Sequence, residues 1–149
     1  MSEGVDREER KRLGEKLQAQ ADFPAILELI DTLIGPDGCP WDREQTVENC
    51  PKYLRNEVQE VINAIESGDN ENLEEELGDL LFLVAFTSKL GEKETRVSMD
   101  GVFRRILKKM IFRHPHVFGG DMDAENPEEV LANWQHLKEL EKLEKESGE

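Results

Sequence analysis

Leu54, Val58, Val61, Ile62 and Ile65 recur at the three- and four-residue spacing of one helical face, and Leu73, Leu77, Leu80, Leu81 and Val84 repeat that spacing soon afterwards. Between the two stripes lies Ser67-Gly68-Asp69-Asn70, a run of turn-forming residues. Two apolar faces joined by so short a connection bury each other by folding back antiparallel. The expected hairpin constrains everything else, because the remaining chain must pack around it. Phe82, Leu83, Ala85 and Phe86 make the second half of the later helix apolar nearly all round, so it calls for cover from a bundle or from a second subunit.

The other apolar runs keep the same period. Phe23, Ile26, Leu27, Ile30, Leu33 and Ile34 form one stripe, stopped by Gly35-Pro36-Asp37-Gly38. Val102, Phe103, Ile106, Leu107, Met110 and Ile111 form another, between Ser98 and Pro115. Asn126-Pro127-Glu128-Glu129 reads as an N-cap, a proline at the first helical position and an acidic first turn, opening a last helix through Trp134 to Lys145. With no strand-like alternation, the expected class is an all-α helical bundle built around an antiparallel hairpin. Residues 1–22 carry few aliphatic side chains and read as a charged N-terminal extension, 23–145 as the helical domain and 146–149 as a fraying tail. The stretch from Gly38 to Thr46 reads as a loop, the helix after it is expected from Pro51 to about Glu66, and the second arm of the hairpin is expected to run to about Leu90, ahead of Gly91. A loop tryptophan such as Trp41 usually plugs the edge of a core, and contact with a substrate is the less common alternative.

A chain of 149 residues suits one domain. Its 19 Lys and Arg against 34 Asp and Glu leave a net charge of -15, which argues against a nucleic acid polymer as partner. No apolar run reaches the ~18 residues of a membrane span, and the N-terminus lacks the apolar core of a signal peptide. Cys39 and Cys50 are too few for a disulfide framework. A soluble, cytoplasmic protein is expected.

Glu57 and Glu60 stand three apart on the first arm of the hairpin, and Glu76 and Asp79 stand three apart on the second. Folding back about Gly68 sets Glu57 level with Asp79 and Glu60 level with Glu76. Each acid borders an apolar stripe, where clustered carboxylates repel unless protonated or bridged by a cation. An all-oxygen set suits Mg²⁺, with Mn²⁺ as a substitute. A solvated acidic face is the alternative, since so acidic a chain also places Glu71 and Glu74 at this spacing. A basic counterpart runs through Arg104, Arg105, Lys108, Lys109, Arg113 and His114, interrupted only by Asp100 near its start. Lys109 with Arg113, and Trp134 with Lys138, share helical faces and could hold a triphosphate and stack a base. The alternative there is a solvated basic face with Trp134 in the core.

Several separated motifs, in order, resemble one family. They are Gly38-Cys39-Pro40-Trp41-Asp42 with Gln45-Thr46, Glu57-x-x-Glu60, Glu74-Glu75-Glu76-Leu77-Gly78-Asp79-Leu80-Leu81, Arg113-His114-Pro115-His116-Val117-Phe118-Gly119, and Asn133-Trp134 with Lys138. From Ile26 to Lys138 the chain resembles the MazG-type nucleoside triphosphate pyrophosphohydrolases. The resemblance implies an all-α homodimer that cleaves (d)NTPs to (d)NMPs and pyrophosphate. By the same resemblance Glu57, Glu60, Glu76 and Asp79 bind Mg²⁺, Lys109 and Arg113 contact phosphate, and Trp134, Lys138 and Trp41 bind the nucleotide. One position departs: the family's motif usually opens with two adjacent glutamates, and Asn56 stands where the first is expected. Asn56 neither accepts a proton as a base nor adds negative charge for a metal. The alternatives are a pyrophosphohydrolase for a modified nucleotide and a non-catalytic nucleotide-binding module.

Overall fold

The computed structural model describes residues 6–148, and every regular element among them is helical. The chain divides into two compact units, Met1–Met99 and Asp100–Glu149. In the first, α1 (Arg7–Gln20) opens at Asp6, whose carboxylate accepts from the Glu8 amide at 3.0 Å, and it contributes no buried residue. The charged composition of its sequence explains that peripheral standing. Next, α2 (Phe23–Ile34) is capped by Asp22, which accepts from the Ala25 amide at 2.9 Å, and it buries Ala25, Ile30 and Ile34.

The stretch expected to be a loop is partly helical. Pro40 supplies the first position of a short helix, α3 (Pro40–Glu44), because its fixed φ is already helical and its missing N–H would have had no partner there. A 3₁₀ turn, Val47–Asn49, follows, closed by reciprocal bonds between Thr46 and Asn49. Trp41 does not plug the core: it is 56% exposed, and its ring meets Tyr53 edge-on at 5.8 Å. Cys50, 1% exposed, fills the core position at this end of the chain segment instead.

The hairpin forms as expected. α4 (Cys50–Ser67) ends at Gly68, whose φ of 70° is open to glycine at little cost, and whose N–H returns to the Ile65 carbonyl at 3.2 Å. Asp69 then accepts from the Asn72 amide at 3.1 Å and opens α5 (Asn70–Glu94). Ile30, Ile34, Cys50, Ala85, Phe86, Leu90 and Met99 make the core, with Phe23, Leu54 and Phe82 packed against it. Only part of the apolar girdle of α5 is covered. Leu77, Leu81 and Val84 are exposed, as are Val58, Ile62 and Ile65 of α4.

Gly91 does not stop α5, which continues to Glu94. A β-carbon at Gly91 would fall 2.9 Å from Cβ of Val97, so the residue serves close approach rather than termination. Its carbonyl accepts from both the amide and the hydroxyl of Thr95, each at 2.8 Å, as the chain turns back. The Met99 amide then donates to Glu92 Oε1 at 3.0 Å, satisfying a donor at the start of α6 (Met99–Phe112).

In the second unit α6 ends before Pro115, and α7 (Pro127–Glu146) begins as its sequence indicates. Asn126 accepts from the Glu129 amide at 2.9 Å, while Glu129 accepts from the Glu125 amide at 2.8 Å. Leu137 is buried, and Arg113 reaches α7 through an ion pair with Glu141. Among the described residues no helix is long and apolar enough to cross a membrane.

Candidate functional site

The hairpin brings carboxylates from both arms together. One carboxylate oxygen each from Glu57, Glu76 and Asp79 lies within 4.8 Å of the others. Glu60, one turn further along α4, is outside this trio, though its charge still acts on Glu57. The level pairing read from the sequence therefore shifts: Glu76 approaches Glu57, which becomes the centre of the cluster.

Glu57 Oε2 is buried and has no hydrogen-bond partner. A carboxylate can bond to a second carboxylate only when one of them holds a proton, so the approach of Glu76 does not satisfy an ionised Glu57. Burial, first, then the proton shared with Glu76 and the charges of Asp79, Glu76 and Glu60 push the Glu57 carboxyl up to about 7. The cluster thus has acceptors in excess and no donor. It fits a hard divalent cation, which would take the orphaned oxygen and remove the repulsion together.

Beside the trio lies a pocket of about 230 Å³ lined by Tyr53, Asn56, Glu57, Asp79, Phe82 and Leu83. Tyr53 precedes Glu57 on α4 by four residues and so shares its side of the helix, while Asn56, the residue directly before Glu57, lines the pocket from the adjoining face. Tyr53 also carries the exposed Trp41, which links the Gly38–Thr46 segment to the pocket wall. Tyr53, Phe82 and Leu83 escape a sequence reading because they look like members of the apolar stripes.

The expected phosphate-contacting residues lie in the second unit. Arg113 donates through Nε and Nη2 to the two oxygens of Glu141, at 3.1 and 2.9 Å. Its guanidinium lies over the Trp134 ring, 5.3 Å from the centroid, and His114 meets the same ring edge-on at 5.2 Å. Trp134 is half-buried and engaged by these two neighbours, while Lys109 and Lys138 are exposed. The bond to Glu141 raises the Arg113 pKa further, and the bond from Arg113, with the charges of Lys109 and Lys145, holds the Glu141 carboxyl below its ordinary value. Glu141 has no sequence signal of its own except its spacing on α7, three residues beyond Lys138.

Residues 45–118 match the MazG nucleotide pyrophosphohydrolase domain. The chain is 41% identical over 121 residues to a nucleoside triphosphate pyrophosphohydrolase of Escherichia coli, a match covering 80% of this chain and 46% of the relative. It is 35% identical over 126 residues to the nucleoside triphosphate pyrophosphohydrolase/pyrophosphatase MazG of Thermotoga maritima, covering 85% of this chain and 48% of the relative. The chain spans less than half the length of these two curated relatives. The crystal structure of a mazG-related protein from Thermotoga maritima superposes with a TM-score of 0.66 at 25% identity, over 76% of this chain and 96% of that one. An all-helical hairpin, a carboxylate trio on it and a domain match that includes Glu57, Glu76 and Asp79 agree with one another: the chain belongs to the MazG nucleotide pyrophosphohydrolase domain family.

Proposed function

We propose that this protein is a Mg²⁺-dependent nucleoside triphosphate pyrophosphohydrolase, converting (d)NTPs to (d)NMPs and pyrophosphate. The observation that carries the reading is the buried, unpartnered Glu57 Oε2 within a three-carboxylate cluster, which suits a divalent cation. Glu57, Glu76 and Asp79 would hold the ion, with Glu60 adding charge and, by family resemblance, a ligand. Mg²⁺, or Mn²⁺ in its place, would neutralise phosphate charge and orient an attacking water. Tyr53, Phe82 and Leu83 offer an apolar wall beside the acids, and Trp41 a π-face near it. Lys109, Arg113 and Lys138 would contact phosphate oxygens, and Trp134 supports Arg113 from below. The protein's work is positioning and electrostatic stabilisation, with little covalent chemistry of its own.

The exposed stripe of Val58, Ile62, Ile65, Leu77, Leu81 and Val84 supports a homodimer. Gly78 lies in the same part of α5, and apart from its chain neighbours and the local helix backbone nothing stands within 4 Å of where a β-carbon would be, which leaves room for a close neighbour. Two free cysteines suit a reducing cytoplasm. The deciding experiment incubates the pure protein with a nucleotide panel and Mg²⁺ and measures pyrophosphate. Release from (d)NTPs is expected, whereas no release from any member would reduce the protein to a nucleotide-binding module.

A further inference from the structure

Arg113 is held on two sides within its own unit. Glu141 takes Nε and Nη2 in a fork, Trp134 lies beneath the guanidinium plane, and His114 braces the Trp134 ring while its Nδ1 meets the Met110 carbonyl. The Arg113 and Glu141 side chains are 14% and 20% exposed, so this is a packed arrangement rather than a surface encounter. A guanidinium has five N–H donors. Glu141 occupies two of them, which leaves three, including both on Nη1.

We propose that Glu141 is a positioning residue for phosphate binding: it grips one edge of the Arg113 guanidinium and so presents the opposite edge to a phosphate oxygen of the substrate. The proposal rests on the phosphate-contacting role given to Arg113 above. An arginine side chain is long and loses much rotamer freedom when it binds an anion. Here that freedom is removed beforehand by Glu141 and Trp134, so the ordering cost does not fall on the binding step. Glu141 need not be displaced, because the donors required by a phosphate are those it leaves unused. Lys109 and Lys145 keep the neighbourhood cationic despite its negative charge.

The test measures binding of inorganic tripolyphosphate to the full chain by calorimetry without metal, so that it reads the cationic residues independently of hydrolysis. Glu141→Gln should weaken binding about tenfold, and Glu141→Asp, which keeps the charge at shorter reach, should fall between. In an Arg113→Lys background, where no fork exists to be held, Glu141→Gln should change nothing further. Equal or tighter binding by Glu141→Gln overturns the proposal, as does an undiminished loss in the Arg113→Lys background. Absence of tripolyphosphate binding by the wild type also overturns it. With nucleotide and Mg²⁺, the same substitution should raise KM more than it lowers kcat. A wild type that binds tripolyphosphate but releases no pyrophosphate would refute the enzymatic reading alone.

Discussion

The carboxylate hairpin and the Arg113 cluster are opposite solutions to placing charge in a partly closed site. Glu57 is surrounded by Glu76, Asp79 and Glu60, all of its own sign, and one oxygen is left bare. Arg113 has a bidentate counterion and an aromatic floor. In the proposed function the first region would be completed by a divalent cation. The second is complete already, so its remaining donors can act without rearrangement. A chain can thus prepare one site by leaving charge unbalanced and another by balancing it.

The largest predicted effects would break the first half of that contrast. Glu57→Gln keeps the shape but removes the charge at the centre of the cluster, and should lower pyrophosphate release by at least about a hundredfold with helical circular dichroism unchanged. Glu60→Gln is expected to abolish release as well. Activity near wild type would remove Glu60 from the site. Arg113→Ala, which strips the second region of its fork and leaves Glu141 unpaired, should raise the KM for nucleotide by about tenfold or more.

A smaller effect concerns proton binding. Glu57 titrates near 7 in the fold against an ordinary value of 4.5, so between those values the folded chain holds a proton that the unfolded chain has lost. The stabilising contribution of this group is therefore full below about pH 4.5 and lost as pH rises through about 7. Metal-free protein should accordingly melt at lower temperature at about pH 8 than at about pH 5 as far as this cluster is concerned. Mg²⁺ should recover the loss, because the ion binds the ionised, folded cluster. A melting temperature indifferent to Mg²⁺ at about pH 8 would argue against an unbalanced site. The smallest expected effect is a several-fold gain in Mg²⁺-dependent turnover from Asn56→Glu, which adds another acid beside the trio. Unchanged or lower turnover would show that the cluster has charge enough.

The hairpin was legible because periodicity, a breaker and a glycine all point to the same turn at Gly68. Glu57, Glu76 and Asp79 were legible because their spacing mirrors about it, although helix packing, not residue number, chose Glu57 as the centre. For Trp41, physics alone favours a core-edge plug and the family resemblance a nucleotide contact; its exposed ring rules out the plug, which a composition that shows only a loop does not reveal. Glu141 was invisible among 34 acids, since its importance lies in the partner that Arg113 finds across α7. Long-range pairings of this kind leave no periodic trace.

Gly91 limits how the protein can be engineered. Replacing a helical glycine by alanine ordinarily gains about 1 kcal/mol and is a common first step toward a heat-resistant variant. At Gly14, where nothing stands within 4 Å, that step is open. At Gly91 the added methyl would meet Val97 at 2.9 Å and push against the turn that leads into α6, so a thermostabilising programme that treats the two glycines alike would undo at the second what it gained at the first.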